Sequence, residues 1–334
     1  MKNSSTVRVL GLLCIAAVLT LAAVGCGGAQ DEGSSGEEQV SIGITQIVEH
    51  PALDAARDGF VEALAEGGYV EGENVVYDVA NAQNDKSNAL TIAQKFVNDQ
   101  VDLILAISTP SAQACAQATS DIPILITAVT DPVAAGLVDS MDAPGTNVSG
   151  TTDMNPIKEQ LELIKKFAPD AVKVGVIYNA GEVNSEVQVD IAKEAAGELG
   201  LEIVEATVAT TADVSQAAQS LIGRVDAIYV PTDNTVVAAL ESVLQAAEEN
   251  DIPVIAGEGD SVERGALATL GIDYYELGRQ TGEMALRVLE GEVPAEMAVE
   301  KQKDMKLYLN KKAAEAMGVS IPDDILQEAD EVFE

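Results

Sequence analysis

The sequence predicts an α/β protein of two Rossmann-like lobes, with parallel sheets facing a central cleft. Three observations carry this: β-branched apolar runs alternate with helical patterns, the pattern restarts midway, and 334 residues suffice for about two domains. In order, Val40 to Val48 reads as a strand, Leu53 to Glu66 as a helix, Val75 to Ala80 as a strand and Ser87 to Asn98 as a helix. Strand Leu103 to Ile107, helix Ser111 to Ala118 and strand Ile124 to Ala128 follow. The restart is visible in the residues. Val40-Ser-Ile-Gly-Ile44 is matched by Val172-Lys-Val-Gly-Val176, Val101-Asp-Leu-Ile104 by Val225-Asp-Ala-Ile228, and Asp121-Ile-Pro-Ile-Leu125 by Asp251-Ile-Pro-Val-Ile255. The offsets of 132, 124 and 130 residues fit two copies of one unit with loops of different length. Pro123 and Pro253 each open a strand, where a missing backbone donor is tolerable.

The N-terminus reads as an export signal. Lys2 and Arg8 precede an apolar run from Val9 to Val24, about 16 residues, short for a membrane span of about 20. The run ends in Leu21-Ala-Ala-Val-Gly-Cys26, which resembles a bacterial lipobox, with Ala23 where leucine is more usual. That resemblance implies residues 1–25 as signal peptide and diacylglycerol on the Cys26 sulfur. Residues 26–39, rich in Gly, Ser, Asp and Glu, are expected to form a flexible tether.

Composition excludes several functions. The formal charge of −36 argues against nucleic-acid backbones, which require basic surface. Without residues 1–25 it becomes −38, from 17 basic and 55 acidic residues. Beyond the signal and lipid site only Cys115 remains, and no CxxC or His/Cys cluster offers a metal site. His50 is the sole histidine, so any histidine-based triad would depend on it. A nucleophile elbow, a P-loop and a complete dinucleotide fingerprint are missing, and no cofactor is expected.

Ligands of open parallel sheets gather beyond the carboxyl ends of the strands. In the first lobe those ends carry Glu49 and His50, then Ser108, Thr109 and Ser111, then Thr130 and Asp131. The Ser108-Thr-Pro-Ser111 segment opens a helix whose N–H groups and dipole favour an anion such as a carboxylate; a plain N-cap is the competing reading. In the second lobe the ends carry Tyr178, Asn179, Asp233 and Glu258. One acid there would pair a ligand ammonium, with Glu258 preferred over Asp233, which also reads as a helix cap.

The chain from about Val40 onward resembles the periplasmic-binding-protein-like family (type I) of ABC transporter substrate-binding lipoproteins, in its tryptophan-type branch. The carriers are Ile42-Gly-Ile-Thr-Gln-Ile-Val-Glu-His-Pro-Ala-Leu-Asp-Ala-Ala-Arg-Asp-Gly-Phe60, Ser108-Thr-Pro-Ser-Ala-Gln-Ala114, Thr130-Asp-Pro-Val-Ala-Ala-Gly136 and Thr269-Leu-Gly-Ile-Asp-Tyr-Tyr-Glu-Leu-Gly278. The resemblance implies three hinge crossings, near residues 147–153, 271–274 and 291–299. The N-terminal lobe would comprise 40–150 plus 274–292, with a returning helix from Tyr275 to Leu289, and the C-terminal lobe 151–273 plus 293–334. It implies a binding protein and no enzyme, passing an aromatic or other hydrophobic amino acid to an ABC permease driven by an ATPase. It implies Ser108, Thr109 and Thr130 near the ligand carboxylate, Glu258 near the ammonium, Tyr178 and Tyr274 as aromatic walls, and Asp273 beside them at the second crossing. A sugar or other small solute is the alternative ligand, and sensing for a membrane signalling protein the alternative role.

Overall fold

The computed structural model describes residues 39–302 and 304–334. The expected signal segment, Cys26 and nearly all of the tether lie outside the described residues.

The first half folds as the apolar runs dictate. Strands β1 (Val40–Gln46), β2 (Val75–Asn81), β3 (Leu103–Ile107), β4 (Ile124–Val129) and β5 (Val148–Thr152) alternate with helices α1 (Pro51–Glu66), α2 (Lys86–Asp99) and α3 (Thr109–Ala118). The strands are parallel and β3 and β4 are wholly buried, as continuous β-branched runs require when helices cover both faces.

The second half repeats the scheme. Helix α4 (Ile157–Phe167) leads into β6 (Lys173–Asn179), α5 (Val183–Leu199), β7 (Glu202–Val208), α6 (Val214–Leu221) and β8 (Ala227–Val230). Then come α7 (Asn234–Val237), α8 (Leu240–Glu248), β9 (Val254–Ala256), α9 (Gly259–Glu263) and β10 (Ala268–Gly271). The chain returns through α10 (Tyr274–Leu289) and β11 (Glu300–Lys301), and finishes with β12 (Lys306–Asn310), α11 (Lys311–Ala316), α12 (Asp323–Glu328) and β13 (Glu331–Phe333).

Two sheets result, in the orders β11-β5-β4-β3-β1-β2 and β13-β12-β10-β9-β8-β6-β7. All pairings are parallel except β10 with β12. Each sheet has its own hydrophobic core. The returning helix α10 belongs to the first: Leu277, Met284 and Ala285 are buried there, and α10 lies along α1. Glycines allow that close approach, since a Cβ on Gly278 would stand 1.9 Å from the Ala56 carbonyl oxygen.

The third crossing differs from the sequence expectation. Met297 and Val299 are buried in the first core, Ser149 Oγ donates to the Met297 carbonyl at 2.7 Å, and Glu300–Lys301 adds an edge strand beside β5. The chain therefore leaves the first lobe only after residue 301. Gly291, Pro294 and a short apolar stretch carry no helical or strand period, so this packing has no signature in residue type.

Candidate functional site

The carboxyl ends of both sheets converge on one cavity, which the shut cleft leaves at about 20 Å3, little more than the room of a water molecule. From the first lobe it is lined by His50, Ala52, Leu53 and Ala128. Thr232, Asp233, Asn234, Val237, Asn184 and Glu258 line it from the second, and Asp153 and Tyr274 from the crossings. The polar members of this wall are nearly all buried, so the cleft is shut. Two hydrogen bonds hold it closed away from the cavity: Asn84 Nδ2 donates to Thr235 Oγ1 at 3.0 Å, and Lys86 Nζ to the Gly181 carbonyl at 2.7 Å.

His50 sits where Pro51 puts it, in extended conformation (φ −158°) at the start of α1. Burial, aided by the nearby Arg264 charge, lowers its pKa to about 3, so the imidazole is neutral and Nδ1 has no partner. Ala128, at the end of β4, takes φ +56°, and Ser108, after β3, takes φ +82°; such backbone is uncommon outside glycine and concentrates at functional sites.

The acids divide into two kinds. Asp233 caps α7, accepting from Val236 N at 2.8 Å, and its other oxygen accepts from Asn179 N and Ser185 Oγ, both at 2.6 Å. Burial and the neighbouring Glu182 charge raise its pKa to about 7. Glu258 caps α9, accepting from the Ser261 N–H and hydroxyl, and burial raises its pKa. Its position is fixed from behind by Gln160, whose Nε2 donates to the Gly257 and Leu270 carbonyls at 3.1 and 2.9 Å. Asp153 is different. One carboxylate oxygen accepts from the Tyr274 hydroxyl, while Oδ1 is buried and has no partner. Burial raises the Asp153 pKa, against the hydrogen bond from Tyr274. A carboxylate in that position favours a cation.

Ser108 stands at the N-cap of α3 without making a side-chain cap bond, so the plain-cap reading does not hold there. The hydroxyls of Ser108, Thr109 and Ser111 are buried and unpartnered. They stand at the end of β3, one strand over from Ala128. Thr130 is buried, and its carbonyl accepts from Thr152 Oγ1 at 2.6 Å.

Several expected site residues stand elsewhere. Tyr178 is no cavity wall: its hydroxyl donates to Glu205 on β7 at 2.6 Å. Asn179 lies behind the wall, donating to Thr235 Oγ1 at 2.9 Å. Asp131 caps its own turn through Val133 and Ala134 N–H, and Glu49 is exposed. Asp273 caps α10 and pairs with Lys306 at 2.8 Å, facing away from the cavity. Asp153, Asn184, Thr232 and Asn234 are the polar wall residues that sequence reasoning missed, along with the apolar Ala52, Leu53, Ala128 and Val237. The signal for Asn184 and Asn234 was present, because both lie in strand-end segments rich in amides. Cys115 is buried in α3, which pushes its thiol up to about 12 and leaves it inert. Among the described residues no group of three or more His, Cys, Asp or Glu could hold a metal ion.

The family model described as ABC transporter substrate binding protein matches residues 41–333. The chain belongs to that family. Proteins of this family are extracytoplasmic components of ABC transporters that bind small molecules. A curated relative, the tyrosine-binding protein of Clostridioides difficile, is 47% identical over 320 residues, spanning 93% of this chain and 92% of the relative. Among solved structures, an ABC domain in complex with L-Trp from Streptococcus pneumonia superposes with a TM-score of 0.86 at 36% identity, covering 89% of this chain and all of that one. The ligand-free, open structure of a substrate-binding protein with adhesive properties from Clostridium difficile is 51% identical but superposes at only 0.67, with 88% and 99% coverage. Higher identity with poorer superposition is what a shut cleft here and an open one there produce.

Proposed function

We propose that this protein captures an aromatic amino acid between its lobes and delivers it to an ABC permease and its ATPase, and that it has no catalytic role. The observation that carries this reading is the free Oδ1 of Asp153, a buried carboxylate oxygen at a cavity whose other acidic residues are Asp233 and Glu258. A ligand ammonium would supply its missing partner through a charge-assisted hydrogen bond. Glu258, the residue first expected there, would add field at short range, since its oxygens are already engaged by Ser261. The start of α3, with three unpartnered hydroxyls, suits the ligand carboxylate. Ala52, Leu53, Ala128 and Val237 offer an apolar slot between these poles for a flat ring. The tyrosine-binding and L-Trp-bound relatives support the ligand class.

A ligand touching both lobes binds the shut state better and so enriches it. The protein would be held at the outer face of the cytoplasmic membrane by lipid on Cys26, because a surface of net charge −38 is repelled by anionic headgroups. Calorimetry against a panel of amino acids and sugars tests the ligand class. Saturable binding of L-tyrosine or L-tryptophan supports the reading, and binding confined to sugars refutes it. Cys26→Ala should release the protein from the membrane fraction.

A further inference from the structure

The cavity is short of hydrogen-bond donors at the end away from the crossings. Asn184, on the first turn of α5, turns its amide nitrogen toward Glu182 Oε2 and Ser185 Oγ, both at 3.3 Å, and the Thr232 carbonyl at 3.4 Å. Three acceptors around the nitrogen leave Oδ1 pointing elsewhere, buried and unpartnered, on a residue 3% exposed that lines the cavity. Across the cleft His50, 8% exposed, also has an unpartnered Nδ1. A buried acceptor without a donor is costly, so a ligand that supplies one gains by it.

The strand order separates Asn184 from Glu258 and His50 from Asp153. Asn184 follows β6 and Glu258 follows β9, two positions apart in the second sheet, or about 10 Å at the usual strand spacing. His50 follows β1 and Asp153 follows β5, three positions apart in the first, or about 14 Å. An amino acid with its ammonium at Asp153 therefore extends its side chain through the apolar slot toward Asn184.

We propose that Asn184, with His50 opposite, accepts a hydrogen bond from the ligand's side-chain tip, so that the site selects aromatic amino acids bearing a phenol O–H or indole N–H over phenylalanine. This selection rests on the aromatic reading above and extends it to a named residue. Phenylalanine fills the slot equally well but leaves Asn184 Oδ1 buried without a donor, the situation that gives binding sites their strongest discrimination.

Calorimetry on ligand-stripped protein tests this with L-tyrosine, L-tryptophan, L-phenylalanine, 4-aminophenylalanine and 4-fluorophenylalanine. Tyrosine and 4-aminophenylalanine should bind at least tenfold more tightly than phenylalanine and its fluoro derivative, which matches the phenol in size but donates nothing. Asn184→Leu, checked for its fold by circular dichroism, should bring tyrosine to within about threefold of phenylalanine. Should that variant fail to fold, the ligand series on the natural protein decides alone. Phenylalanine and 4-fluorophenylalanine binding within twofold of tyrosine would overturn the selection while leaving the aromatic reading standing. Binding of none of the five would overturn the aromatic reading, and the selection with it.

Discussion

Replacing Asp153 with Asn removes the charge that the site offers to an ammonium while keeping its size. Asp153 is buried, one oxygen takes the Tyr274 hydroxyl, and Oδ1 is free. Truncating one partner of a buried, hydrogen-bonded charge pair costs about 2 to 5 kcal/mol of binding. At about 1.4 kcal/mol per factor of ten, Asp153→Asn should weaken amino-acid binding by about 30-fold to 4,000-fold. The ligand-free protein should respond in the opposite direction. Burial raises the Asp153 pKa, so holding the ionised form in the fold is unfavourable at neutral pH, and a neutral amide should raise the melting temperature. Calorimetry with L-tyrosine and thermal melting of ligand-stripped protein read the two effects. The reasoning fails if the variant melts like the natural protein or higher and still binds tyrosine within threefold of its affinity.

Three further outcomes are expected. Gly278→Ala places a methyl 1.9 Å from the Ala56 carbonyl, so α10 must part from α1, and urea unfolding should show a loss of at least about 3 kcal/mol, the upper end for overpacking. Asn84→Ala deletes a bond that forms only across the shut cleft; ligand dissociation in stopped flow should quicken about fivefold, for about 1 kcal/mol, with association unchanged. The ligand-free protein should gain stability as pH falls from 8 to 6.5. Asp233 and Asp260, both raised to about 7 by burial and neighbouring acids, take up protons in the folded state before the unfolded chain does, and His50, held neutral in the fold, opposes them more weakly, since with an unfolded pKa of 6.5 it is at most half protonated over that range. Melting temperatures across that range check the sign, and Asp233→Asn should flatten the trend.

What the sequence disclosed follows from the range of the forces involved. Parallel strands buried on both faces must be apolar throughout, so β3, β4 and the repeat in the second half were legible from residue type alone. Pro51 set the extended backbone of His50, and Asp233 was readable as a cap because capping is local. Asp153 was not readable: it follows β5 at a crossing, and its free oxygen becomes significant only when α10 brings Tyr274 against it across 121 residues of chain. Tyr178 was misplaced because a strand's period of two says that successive residues face opposite ways, and only the pairing with β7 decides which way. The segment around Met297 was assigned to the wrong lobe because two buried side chains in an irregular strap have no period to detect.

The absence of tryptophan from the chain makes the central claim directly measurable, since any indole emission comes from the ligand. Free L-tryptophan titrated with ligand-stripped protein should shift its emission to shorter wavelength as the indole leaves water for the slot between Leu53 and Val237, saturating at one ligand per chain and reversing when L-tyrosine is added. Emission that stays at the wavelength of free tryptophan at saturating protein, with no response to tyrosine, would contradict the account.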